Sequence, residues 1–269
     1  GKIKNNVLKY LVEKSDTMFQ KPGVLAPCNL FSVGHILLIL LTITLIRFAL
    51  HKTEDFTKEQ IYTTIKVASI ILWVLEIIKI SFALSFTDVS KVNEYVPLYF
   101  CSMTLYATLM AAFGKGSFKR CGEVFMMTGA IVGGLVFMIF PTTSLPRYPW
   151  YHFISLHSFF YHGTMIFLGL LMLRGKYITL ERHDIHYHAR LVAVMCFLAL
   201  IVNVTFDGNL MFISKNFPGT PLEILYNLVG PLYTPIMVIG QMFLPFLVVY
   251  YGIDFLTKKY YERKEITAN

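Results

Sequence analysis

Two residues in this chain combine the right types for covalent chemistry. Cys101 lies in the run PLYFCSMTLY and His157 in YPWYHFISLHSFFYHG. A thiol in apolar surroundings is inert, because burial disfavours the thiolate that acts as nucleophile. An imidazole within hydrogen-bond reach takes the proton and leaves a nucleophilic thiolate–imidazolium pair. Such a pair attacks the carbonyl of a lipid ester, giving an acyl-thioester and a lysolipid. The acyl group then passes to an acceptor hydroxyl or to water. Taken singly, a buried cysteine reads as a small apolar filler and one membrane histidine as a hydrogen-bonded packing residue. The chemistry depends on what brings them together.

Other polar residues sit near them in the pattern. Glu76 and Lys79 are three apart, hence neighbours on one helix face, and read as a structural ion pair that neutralises itself within the apolar stretch. Tyr106, His162, Asn203, Asp207, Asn209 and Gln241 are candidates to orient the imidazole or to line a head-group pocket. His152, beside Trp150 and Tyr151, reads as part of an interfacial aromatic belt. The run Glu181-Arg182-His183-Asp184-Ile185-His186-Tyr187-His188 has metal-ligand residue types, yet no second cluster completes a ligand set, so no metal site is expected. There is no P-loop, no dinucleotide glycine fingerprint and no G-x-S-x-G, so no cofactor is expected. Cys28, Cys101, Cys121 and Cys196 fall in separate segments without a CxxC, which argues against a disulfide framework.

The elements that must position these groups follow from composition. Of 269 residues, 55% are hydrophobic and 15% charged, and mean hydropathy is +0.58. A soluble domain carries about 25% charged residues, so an ordinary cytosolic globule and a disordered chain are excluded. An all-α polytopic membrane protein is expected. A membrane helix needs roughly 20 mostly apolar residues. Seven stretches qualify, at about 31–50, 61–86, 96–113, 122–140, 151–173, 188–205 and 232–256. They predict one seven-helix bundle over 31–256 and a basic tail over 257–269. Within 1–30, Ile3, Val7, Leu8, Leu11 and Val12 recur at helical spacing among lysines, which predicts an amphipathic helix on the membrane surface.

Basic residues in the loops set a direction. Leaving the N-terminal tail aside, 14 lie on one side and three (Lys91, Arg147, Lys215) on the other. The five tail lysines make the ratio 14 to 8, in the same sense. The basic side is expected to be cytoplasmic, which places the N-terminus outside and the C-terminus inside a cell membrane. The net charge of +8 is thus a topology signal, and no nucleic-acid partner is expected. On this reading spans three and five both enter from outside. Counted along ideal helices at about 1.5 Å per residue, Cys101 and His157 then lie roughly 8 and 9 Å deep in one leaflet.

The run Pro97-Leu98-Tyr99-Phe100-Cys101-Ser102 resembles the P-L-H-x-C-S signature of the YwaF-like bacterial integral membrane family, with Tyr99 standing where that signature has histidine. The stretch VNVTFDGNLMF and the segment SLHSFFYH are similar to further segments of that family, Phe206 and Leu210 being departures. YwaF-like proteins are in turn similar to eukaryotic transmembrane acyltransferases that form ether phospholipids. The resemblance implies a seven-helix bundle, phospholipid substrates, and Cys101 and His157 as the functional pair. Three functions compete. A cysteine acyltransferase would carry an acyl adduct on Cys101. A small-molecule binding or transport protein would be stabilised by its ligand without a covalent species. A non-catalytic subunit would use a packing face such as Gly129, Gly133 and Gly134.

Overall fold

The computed structural model describes residues 2–268, with side-chain surroundings described for 5–260. Ten α-helices follow in order among them: α1 (Lys2–Met18), α2 (Val33–Lys52), α3 (Lys58–Leu84), α4 (Met103–Phe113), α5 (Gly116–Met127), α6 (Gly129–Ile139), α7 (Phe153–Arg174), α8 (Ile185–Phe206), α9 (Pro221–Val229) and α10 (Tyr233–Ala268). No strand occurs among the described residues. Six segments are long and apolar enough to cross a membrane: Val33–Lys52, Lys58–Leu84, Gly116–Ile139, Phe153–Arg174, Arg182–Phe206 and Pro221–Tyr260. The chain is a multi-pass helical membrane protein.

The expected third span differs. Only its second part, α4, is helical, and at 11 residues it is short for a crossing helix. Pro97 has no N–H to donate and biases Val96 away from helical torsions. The chain instead winds through turns, with Leu98 N donating to Val96 O at 2.9 Å and Met103 N to Phe100 O at 3.2 Å. Cys101 therefore stands in a turn ahead of α4, and a depth counted along an ideal helix does not apply to it. The fourth span is also divided. Thr128 (φ −128°, ψ −79°) breaks it into α5 and α6, and its hydroxyl donates to Val124 O at 2.7 Å inside the break.

Local sequence sets the helix ends. Ser32 caps α2, its hydroxyl accepting from His35 N at 3.2 Å. Thr57 and Gln60 form a reciprocal capping box at the start of α3. The last turn of α8 stops at Asp207 in the left-handed region, φ 56°. The basic tail is a continuation of α10, which runs unbroken to Ala268.

Fourteen of the 22 residues of α7 are buried, against three of 20 in α2. Accordingly α7 lies at the centre, in contact with α2, α3, α5 and α6, while α10 packs on α8 and α6. The outer face of α2 presents Ile36, Leu37, Leu40, Leu41 and Phe48 outward, as a lipid-facing helix should. Lipid tails are as apolar as leucine, so helix association inside a membrane depends on close packing at small residues. Gly134 of α6 meets α7 in this way. A Cβ there would lie 2.6 Å from Ile166 Cγ1 and 2.9 Å from the His162 carbonyl oxygen. Gly134→Ala is expected to lower stability by about 1–3 kcal/mol, read as an earlier thermal transition in detergent. The glycine face of α6 thus packs inside the bundle.

One end of the bundle is closed by residues 19–32. Phe19 stacks on Phe153 (5.0 Å, 21°) and meets Phe82 edge-on at 6.0 Å. His152 Nε2 donates to Gln20 O at 2.8 Å, and Cys28 N and Asn29 N donate to Tyr148 O and Leu145 O. At this end Asp88 accepts from Ser90 N at 2.9 Å, which holds its carboxyl below the usual range. At the opposite end Arg174 donates to Leu50 O at 2.6 Å, and Arg120 grips Asp184.

Candidate active site

Cys101 is set by the start of α4. Tyr106, one turn into the helix, donates its hydroxyl back to Pro97 O at 2.9 Å. Its ring meets Trp73 of α3 at 5.5 Å, and the Trp73 indole donates to Leu105 O at 2.9 Å. Together they pin the turn that carries the cysteine against α3. Tyr106 is therefore a brace for that turn. The thiol itself is half-buried and directed at α6, with Sγ 3.7 Å from Gly133 O. A Cβ at Gly133 would lie 3.3 Å from that sulfur and 3.2 Å from Met165 Cε. Gly133→Ala is expected to slow alkylation of Cys101 by a small thiol reagent by about tenfold without loss of fold, since a neighbour need move only a few tenths of an ångström.

His157 occupies α7 and is 5% exposed. Tyr161, four residues further on, connects it to the cysteine. The Tyr161 hydroxyl donates to the Cys101 carbonyl oxygen at 2.8 Å, and its ring lies 5.9 Å from the imidazole at 28°. Phe153 flanks the imidazole on the other side at 5.6 Å. Neither ring nitrogen of His157 has a hydrogen-bond partner. Tyr161 thus links the backbone of Cys101 to the ring of His157, while the thiol points to Gly133 O and is not hydrogen-bonded to the imidazole. Buried polar atoms ordinarily have partners, so an imidazole with two free nitrogens is an unusual feature of the bundle.

Glu76 and Lys79 of α3 join this group. Lys79 Nζ lies 3.1 Å and 3.3 Å from the two carboxylate oxygens of Glu76. Glu76 Oε2 also lies 3.9 Å from His157 Nε2. Glu76 and His157 side chains are each 3% exposed, while Lys79 is 31% exposed. The carboxylate therefore sits between a buried imidazole and an ammonium that reaches the surface. Glu76 and Lys79 do more than neutralise each other: they extend to the histidine. Sequence reasoning missed Tyr161, although its i, i+4 spacing from His157 puts the two rings on one face.

The remaining candidates are elsewhere. His162 donates Nδ1–H to Ser158 O at 2.6 Å and lies flat on Phe137 at 3.6 Å, so it is a packed residue of α7. Asn203 holds the loop after α8: its Nδ2 donates to Leu210 O (3.1 Å) and Ser214 Oγ (2.8 Å), and its Oδ1 accepts from Leu210 N (2.7 Å). Asn209 Oδ1 accepts from Ser214 N and Lys215 N, and Asp207 pairs with Lys215 at 2.7 Å. Gln241 donates to Met211 O and Met237 O. These four brace one loop, and none has a hydrogen bond to Cys101 or His157. Asn203→Ala is expected to cost about 2 kcal/mol, because it strands buried backbone groups of Leu210. Thermal unfolding in detergent reads that loss. In the histidine-rich run, Asp184 is fully buried and held by Arg120, which removes it as a free ligand.

Comparison with curated proteins and with solved structures returned no match. The likeness to YwaF-like proteins rests on the short motifs quoted above. A family comparison gave a wider match: the TMEM164 family model aligns with residues 26–251. That span takes in α2 to α9, most of α10, and every member of the cluster around His157. It covers well over half the chain, and the protein belongs to the TMEM164 family.

Proposed function

We propose that this protein is a membrane-embedded acyltransferase that moves a fatty acyl group between phospholipids through a thioester on Cys101. The observation that carries the reading is the buried imidazole of His157. Both its nitrogens are unpartnered, its ring meets Tyr161, whose hydroxyl holds the Cys101 carbonyl, and the Glu76 carboxylate lies 3.9 Å from its Nε2. In the first half-reaction His157 takes the thiol proton and the thiolate attacks the ester carbonyl. The tetrahedral species collapses, the S–C bond remains, the C–O bond breaks, and the lysolipid alkoxide recovers the proton from the imidazolium. In the second, His157 takes the proton of an acceptor hydroxyl, whose oxygen attacks the thioester carbonyl. The thiolate leaves and is reprotonated.

The basic residues suggest the setting. Arg120, Arg174, Lys52 and Lys119 lie at the end of the bundle opposite the strap of residues 19–32, in keeping with a cytoplasmic face there. On this reading the N-terminus is outside a cell membrane, the C-terminus is inside, and the substrate enters from the outer leaflet. Residues 1–30 then form an interfacial segment, with the apolar face of α1 on the lipid surface. The test is acyl transfer by the purified protein in vesicles of mixed phosphatidylcholine and phosphatidylethanolamine. Transfer that depends on Cys101 supports the reading. Full transfer by Cys101→Ala, or stabilisation by lipid with no covalent species, refutes it.

A further inference from the structure

The ion pair at Glu76 raises a question that acyl transfer alone does not answer. A carboxylate placed against an imidazole normally accepts a hydrogen bond from it, which fixes the tautomer and stabilises the imidazolium. Here Glu76 Oε2 stops 3.9 Å short of His157 Nε2, and Lys79 holds both carboxylate oxygens at 3.1 and 3.3 Å. Lys79 is the one member of the group that reaches the surface, with 31% of its side chain exposed against 3% for Glu76 and for His157. Its ammonium has three donors, and a phosphodiester is a strong acceptor for them.

We propose that Lys79 is the site for the phosphate of the lipid head group, and that phosphate binding releases Glu76 to His157. This rests on the acyl-transfer reading and names how the same site recognises its substrate. The phosphate draws the Lys79 ammonium outward along its flexible stem. Glu76, no longer held on both oxygens, closes on His157 and accepts a hydrogen bond from Nε2–H. Nδ1 is then left with its lone pair free, and it is the atom that receives the thiol proton of Cys101. The carboxylate takes no proton. The His157 nitrogens have no hydrogen-bond partner and the Cys101 thiol is turned toward Gly133 O, and in the proposal phosphate binding is what engages the dyad. Such coupling keeps the thiolate from forming when no head group is present.

The experiment uses lipids that cannot acylate the enzyme. Purified protein is placed in detergent micelles doped with a diether phosphocholine lipid or with the matching dialkylglycerol, which lacks phosphate. Iodoacetamide alkylation is then followed on the peptide that contains Cys101. The expected result is alkylation about tenfold faster with the phosphate-bearing lipid, equivalent to one unit of thiol acidity. Lys79→Arg keeps that response. Lys79→Gln, Glu76→Gln and the double variant, which leaves no unpaired buried charge, lose it. Equal rates with the two lipids in the native protein, or a response that survives Lys79→Gln or the double variant, overturns the proposal. Because neither lipid carries an acyl ester, the outcome is independent of whether Cys101 is ever acylated, and the two readings fail separately.

Discussion

Cys101→Ala is expected to lower acyl transfer by about 10³-fold or more, since it removes the sulfur that carries the acyl chain in the proposed reaction. His157→Ala should cost about 10²–10⁴-fold, the usual range for a positioned general base. The double variant should be no worse than Cys101→Ala alone, because a nucleophile and its base act as one unit. Initial rates of transfer for the three variants check this directly. Strict additivity of the two single losses would mean that His157 acts elsewhere, for example in packing against Tyr161. The Tyr161 hydroxyl, which holds the backbone of Cys101, offers a graded comparison. Tyr161→Phe loses one hydrogen bond and keeps the ring, so its effect should be far smaller than that of either single change.

The largest structural loss is expected away from the site, at Asp184. Its carboxylate is fully buried and accepts Arg120 Nε at 3.0 Å and Nη2 at 2.6 Å. It also accepts from Glu181 N at 2.7 Å, and Arg120 donates further to Thr179 O at 2.7 Å. This arrangement ties the loop before α8 to α5. Asp184→Asn leaves the Arg120 guanidinium without its counter-charge and should destabilise by about 3 kcal/mol, the low end of the range for a broken buried pair. The low end is the better choice because a quarter of the Arg120 side chain is exposed. Replacing both partners, as Arg120→Met with Asp184→Leu, should recover most of the loss. Thermal unfolding of the three proteins in one detergent measures it, and acyl transfer per folded molecule should change little.

The membrane spans were legible in the sequence because a bilayer core demands about 20 apolar residues in a row, a signal that single substitutions do not hide. Breaks inside a span were not. Pro97 stands inside the span drawn at 96–113 and sets the irregular approach to α4, and nothing as strong stands at Thr128, where α5 gives way to α6. Pairing across helices was also hidden. Glu76 and Lys79 are visibly neighbours at i, i+3, whereas the approach of Glu76 to His157 joins α3 to α7 and has no sequence spacing. Asn203, Asn209 and Gln241 fit a head-group pocket by residue type and position, and only their loop partners show that they brace the segment after α8. An amide that caps a loop and one that binds a ligand look identical until their partners are known.

One mass measurement tests directly whether Cys101 carries the acyl group. The protein is incubated with phospholipid vesicles, the reaction is quenched at low pH, and the intact mass is recorded. The expected result is a fraction heavier by one fatty acyl group in place of one hydrogen, mapped to the peptide that contains Cys101, released by hydroxylamine, and absent in Cys101→Ala. Turnover of lipid by a protein that never shows this adduct, or an adduct that persists in Cys101→Ala, would contradict it.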